Sequence, residues 1–204
     1  MLVFSAQNLA FIAVPKTGTT AVEMALRPHA DIIFAKQRKH MTAQRFHRRV
    51  APFLEETFNM RLERMAVIRD PEEQIRSWYR YRSGTRQQGS DRSTLQISFD
   101  EFVRDVISDD PPPHAGIGSQ WNMVTGKGKV MVHHLFAYES QPVFRAFLDD
   151  RFGEKITVKS KNVSPPAEAP LEEATRKALR KARAKEFALH DRVREAGGHL
   201  VTAL

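Results

Sequence analysis

Short apolar runs of strand type alternate along this chain with longer stretches that carry a helical stripe. Residues 2–4 and 9–14 are apolar and meet at Gln7-Asn8, which predicts two strands and a turn. A helix is expected over about 19–27, stopped by Pro28. Residues 31–35 form a β-rich run, and Phe46, Val50, Phe53 and Leu54 share one side of a helix predicted over about 42–58. An apolar strand at 65–69 runs straight into a helix over about 71–83. Asp70 suits the N-cap of that helix, Pro71 its first position, and Glu72 and Glu73 the positive end of its dipole. The Gly-, Ser-, Arg- and Gln-rich stretch 84–97 reads as a mobile loop. Ser98 and Glu101 form a capping box opening a helix to about 108, which Pro111-Pro112-Pro113 breaks. A short helix near 119–125, a turn at 126–129, a strand over 130–138 and a helix over 141–152 follow. Beyond a β-rich 156–158 and a Pro-rich 162–170, one long helix is predicted over about 171–196.

Strands alternating with helices predict an α/β fold, a mainly parallel sheet flanked by helices on both faces. With 204 residues the chain reads as one domain, 1–204, large enough to bury about 70% of its unfolded surface. In such sheets ligands sit at the carboxyl ends of the strands. No run of apolar residues is long enough to span a bilayer, and the first residues lack a basic leader, so a cytoplasmic location is expected. The absence of cysteine excludes disulfides, thiolate metal sites and cysteine nucleophiles. A net charge of +8, from 32 Lys+Arg against 24 Asp+Glu, suits an anionic partner. The excess concentrates in residues 36–49 and 176–194, and the second cluster reads as a solvated helix face.

Candidate chemistry begins where the 9–14 run ends, in Pro15-Lys16-Thr17-Gly18-Thr19-Thr20. A strand, a Gly-containing turn and a helix start present backbone N–H groups and a positive dipole end to an anion. Lys16 adds a full charge and Thr17, Thr19 and Thr20 add hydroxyls. The nucleotide-triphosphatase pattern would need Gly at Ala13 and Lys at Thr19; here the lysine precedes the glycine by two residues. A second anion motif follows the 65–69 strand, with Arg69 at its carboxyl end and Ser77 two turns into the next helix.

Lys16 before Gly18, and Arg69 separated by seven residues from Ser77 in an Arg-Asp-Pro context, resemble the two phosphate sites of sulfotransferases. These enzymes use 3′-phosphoadenosine-5′-phosphosulfate (PAPS). The resemblance implies a P-loop-type core and a transfer of a sulfuryl group from PAPS, the co-substrate, to a hydroxyl or amine. It places the 5′-phosphosulfate on Pro15, Lys16, Thr17, Gly18, Thr19 and Thr20, and the 3′-phosphate on Arg69 and Ser77. Lys16 would bridge the leaving phosphate and the sulfuryl oxygens. Tyr138, in a Tyr138-Glu139 pair that resembles one in many sulfotransferases, would lie near the adenine, and Asn162-Val163-Ser164 resembles a late element of the Golgi type. Two features depart from the family: no Arg-Lys-Gly element is present, and Ala21 stands where a Trp usually follows the threonines. Both departures point to the compact bacterial, Golgi-like branch.

An acceptor hydroxyl also needs a base. His40, after the 31–35 run and at a helix start, should reach the sheet edge that carries Lys16, and imidazole titrates near neutral pH. Lys36, Arg38 and Lys39 beside it should depress its pKa and suit an anionic acceptor such as a sugar acid or a phosphorylated metabolite. Glu23 is the alternative base. The remaining histidines show no ligand spacing, and no metal is expected. The expected partner is a small-molecule or saccharide acceptor, with neither nucleic acid nor a membrane. Two rival readings stand beside this one: a P-loop kinase-like ATP-dependent phosphotransferase, and a non-catalytic basic module binding nucleic acid.

Overall fold

The computed structural model describes residues 1–159 and 169–204. Six strands make the main sheet: β1 (Leu2–Phe4), β2 (Leu9–Ile12), β3 (Ile32–Ile33), β4 (Glu63–Ile68), β7 (His134–Ala137) and β8 (His199–Val201), in the order β3-β1-β2-β4-β7-β8. A separate hairpin pairs β5 (Thr125–Gly126) with β6 (Lys129–Val130).

Alternation along the strands builds two apolar layers. Leu9, Phe11, Met65, Val67 and Phe136 point to one face, where α1 (Thr19–Leu26) and α7 (Gln141–Phe152) bring Val22, Leu26, Phe144 and Leu148. Ala10, Ile12, Ala66, Ile68 and Leu135 point to the other. That face is covered by α2 (Ala43–Arg49), α3 (Ala51–Phe58), α6 (Gln120–Val124) and α9 (Ala184–Glu195), through Phe46, Leu54, Val124 and Leu189. A third cluster joins α4 (Pro71–Arg82), α5 (Phe99–Val106) and α8 (Glu173–Ala182) through Ile75, Phe102 and Leu179. The α/β class with helices on both faces is therefore present.

The sheet is mixed, which corrects the expectation of a mainly parallel one. Only β2–β4 and β4–β7 run parallel; β1 is antiparallel to β2 and to β3, and β8 is antiparallel to β7. The turn between β1 and β2, with Asn8 at φ 48°, is too short for the crossover a parallel pair needs. The β8 edge strand was missing from the sequence pattern. It follows a turn at Gly197 and Gly198, both with positive φ, and a Cβ on Gly198 would stand 2.3 Å from Ser140 Oγ.

Other differences have local causes. The helix expected over 42–58 divides at Val50, next to Pro52, which has no N–H to give. The long C-terminal helix divides at Arg183, whose φ and ψ of −108° and 25° leave the helical region. Only Ile32–Ile33 of the 31–35 run is strand, flanked by backbone hydrogen bonds from Asp31 to Val3 and from Phe34 to Met1, and 156–158 forms no strand. The 84–97 stretch holds a short turn of helix at Thr85–Gln87 and a buried Thr94, whose hydroxyl donates to the Tyr79 carbonyl. The Asn162-Val163-Ser164 element lies outside the described residues. Among the described residues, no helix is long and apolar enough to cross a membrane.

Candidate functional site

The two parallel strands β2 and β4 end side by side, Ile12 beside Ala66, so the segments following them share one edge of the sheet. After β2 the chain turns through Lys16 at φ 68° and Gly18 at φ 74° before α1 begins. A left-handed lysine is uncommon, and it turns the backbone so that α1 starts on Gly18. That start has no side-chain cap and no acidic residue in its first turn, so its positive dipole end is uncompensated. A Cβ at Gly18 would sit 3.2 Å from the Tyr138 ring, so glycine is what lets Tyr138 close over the loop.

Lys16 is the most perturbed cation of the site. Its ammonium lies 4.3 Å from the centre of the Tyr81 ring and 5.4 Å from that of Trp78, and pairs with no carboxylate among the described residues. Burial, followed by the charges of Arg69 and Arg82, lowers its pKa to about 8. Arg82 itself is committed elsewhere. Its guanidinium donates to the carbonyls of Pro113, His114 and Gly116 and ties α4 to the chain beyond α5.

Arg69 is held from both sides at the end of β4. The Gln120 side chain accepts from its N–H and donates to its carbonyl, each at 2.8 Å, extending the strand's hydrogen bonding by one residue. Its guanidinium stacks 4.8 Å from the Tyr138 ring centre and reaches Glu73 at 3.3 Å, so it is lightly paired. Asp70 caps α4 through Oδ1, accepting from the Glu73 N–H. The Asp70 N–H donates to Glu139, whose second oxygen takes His190 at 3.0 Å. Partial burial works against ionisation of Glu139, but the hydrogen bonds from His190 and Asp70 outweigh it and hold its pKa below the usual range.

On α4, Gln74, Ser77, Trp78 and Tyr81 recur at three- and four-residue steps and therefore share a face. Gln74 donates to the Pro15 carbonyl at 3.3 Å, and Trp78 and Tyr81 lie under Lys16, so this face meets the loop and Ser77 is on it. Tyr79 points away; its hydroxyl donates to Ile97 and its ring packs on Phe99 and Phe102.

His40 reaches the same loop from outside the sheet. Its Nδ1 lies 2.7 Å from the Ala13 carbonyl. A carbonyl only accepts, so Nδ1 carries the hydrogen and a neutral ring keeps its lone pair on Nε2. Its pKa is lowered chiefly by partial burial, against the Ala13 hydrogen bond, with Lys39 adding to the depression; Lys36 and Arg38 are not among the causes. Glu23 is already engaged, bridging Lys39 at 2.6 Å and the terminal ammonium at 2.8 Å, and those contacts hold it ionised despite its burial.

The threonines divide in role. Thr17 is buried and its hydroxyl donates to the Val14 carbonyl at 2.9 Å, which shapes the turn. Thr19 is buried at the helix start, and the Thr20 hydroxyl accepts from Lys39 at 3.4 Å. Sequence reasoning missed Gln120, Gln74, His190 and the aromatic seat of Lys16. The stripe running from Ser77 through Trp78 to Tyr81 could have shown that seat, whereas Gln120 and His190 arrive from distant elements without a local signal. Among the described residues, no cluster of three or more His, Asp or Glu side chains could hold a metal ion. No family model, curated protein or solved structure matches this chain.

Proposed function

We propose that the protein is a sulfotransferase that moves a sulfuryl group from PAPS to a hydroxyl or amine of an acceptor. The observation that carries this reading is one sheet edge bearing two separated cation sites, Lys16 on a glycine turn and Arg69 on the neighbouring strand end, with a tautomer-fixed histidine on the Ala13 carbonyl that leads into the first. Arg69, braced by Gln120 and stacked on Tyr138, would fork onto the 3′-phosphate, and Ser77 would donate its hydroxyl to it. The uncapped start of α1 and Lys16 would hold the 5′-phosphosulfate. His40 Nε2 would take the acceptor's proton as the acceptor oxygen bonds to sulfur. The bond from sulfur to the phosphate oxygen breaks, and Lys16 neutralises the charge left on that phosphate. Its ammonium sits on aromatic faces with no carboxylate to displace, so it is preorganised for that step.

The kinase-like rival needs an acidic side chain free for a metal. Asp70, the nearest strand-end acid, spends Oδ1 on the cap of α4. Thermal shift separates the two readings. PAP (3′-phosphoadenosine 5′-phosphate) should raise the melting temperature more than magnesium-ATP does, and stabilisation reaches about 2.7 kcal/mol at a hundredfold excess over Kd. Equal shifts, or none with PAP, overturn the reading.

A further inference from the structure

We infer that the cleft beside His40 binds a small polyanion, one compact molecule carrying two or more phosphate, sulfate or carboxylate groups. The cleft has a volume of ≈ 770 Å³, and Phe34, Arg38, Met41, Arg45, Arg48 and Arg49 are among its walls. That volume suits a small molecule. All four arginines are exposed, and none pairs with a carboxylate among the described residues. Arg45, Arg48 and Arg49 stand three and four residues apart on α2, on one side of the helix, while Phe46 and Ala43 are buried. Like charges at these steps repel each other, and the chain supplies nothing to relieve them: no Asp or Glu occurs between Asp31 and Glu55.

The other basic segment shows what an ordinary charged surface looks like in this molecule. There Arg176 meets Glu72 and Glu173, Arg183 meets Glu186, and Arg180 lies on the Phe187 ring. The arginines of the cleft instead converge on open space, where guanidinium forks grip oxyanions in pairs. Phe34 is the one aromatic wall of the cleft, so stacked nucleobases have little to rest on. Arg38 and Met41 line the cleft and flank Lys39 and His40, which places His40 at its lip while its Nδ1 grips Ala13. Binding of the polyanion stands independently of the sulfotransferase reading; the further assignment of this molecule as the acceptor rests on it.

Calorimetry on the full chain at fixed ionic strength tests the site, with myo-inositol hexakisphosphate as the phosphate probe and citrate as the carboxylate probe. Whichever probe binds more tightly names the anion source. That probe should bind equally with and without saturating PAP, and equally to Lys16→Ala. The doubly substituted Arg45→Gln/Arg48→Gln protein, melting within a few degrees of wild type, should bind it at least tenfold more weakly. Displacement by PAP, loss of binding in Lys16→Ala, or unchanged affinity in the double variant overturns the inference. A single-stranded oligonucleotide that displaces both probes and binds more tightly overturns the small-molecule occupant. Should PAP fail to bind wild type, the sulfotransferase reading falls, while arginine-dependent binding of the probe still supports the cleft.

Discussion

The two ends of the central strands both carry charged and titratable side chains, yet they are finished in opposite ways. At the amino end, Glu63 opens β4 and accepts from Arg151 at 2.6 Å and from His134 at 3.2 Å; His134 in turn meets His199 at 3.1 Å. Burial opposes ionisation of Glu63, but Arg151 and His134 outweigh it and hold the carboxyl below its usual pKa. His199, stacked 4.1 Å from the Phe136 ring, is pushed down by burial and by His134. That end is electrostatically closed. At the carboxyl end Lys16 rests on aromatic faces, Arg69 has a single longer contact with Glu73, and the start of α1 is uncapped. The contrast separates charges paired within the fold from charges that the fold pairs lightly or not at all.

The largest test acts on chemistry alone. With an acceptor in hand, His40→Ala should lower kcat about 10²–10⁴-fold while PAP affinity, read by calorimetry, holds. Near-normal turnover would remove His40 as the base. Next in size, Gln120→Leu leaves the Arg69 N–H and carbonyl without partners and should weaken PAP binding by about 1–3 kcal/mol. Unchanged affinity would mean that the strand end holds its shape without that brace.

A pH series probes Lys16 directly. PAP should bind the ammonium form, so affinity should fall by up to about tenfold per pH unit above pH 8, and Lys16→Ala should flatten that slope. The nucleotide-free protein should show the opposite linkage. An unfolded lysine titrates near 10.4, so between about pH 8 and 10.4 the unfolded chain holds more protons, and the Lys16 contribution to stability rises with pH. The smallest effect belongs to the closed end. Glu63→Gln should cost about 0.2–1 kcal/mol in denaturant unfolding, because this carboxylate is 40% exposed, and should leave PAP binding unchanged. Its ion-pair contribution is present above the unfolded carboxyl pKa and fades as pH falls through the lowered native one.

Local chemistry was readable from the sequence and distant pairing was not. The apolar runs gave β2 and β4, and Asp70-Pro71 with the following glutamates gave the start of α4 where it is found. Gly18 and the lysine two residues before it located the turn because a strand, a glycine and a helix start are contiguous in the chain. The parallel character of the sheet was overestimated, since β3 and β8 at its edges are short, β8 carries no strand signal, and both pair antiparallel with their neighbours. The sequence shows the Thr17 hydroxyl and hides the Val14 carbonyl that it donates to. Gln120 stands 51 residues from Arg69, and no periodicity connects them.

If the open end reads a 3′-phosphate as proposed, Arg69 is where that reading can be tested at one side chain. Calorimetry should compare PAP with 5′-ADP without metal, in wild type and in Arg69→Ala. Wild type should prefer PAP by about 30-fold or more, equivalent to about 2 kcal/mol of charge-assisted hydrogen bonding. The variant, its backbone still gripped by Gln120, should lose that preference and keep its affinity for 5′-ADP. Equal affinities in wild type, or a preference that survives in Arg69→Ala, would contradict the account.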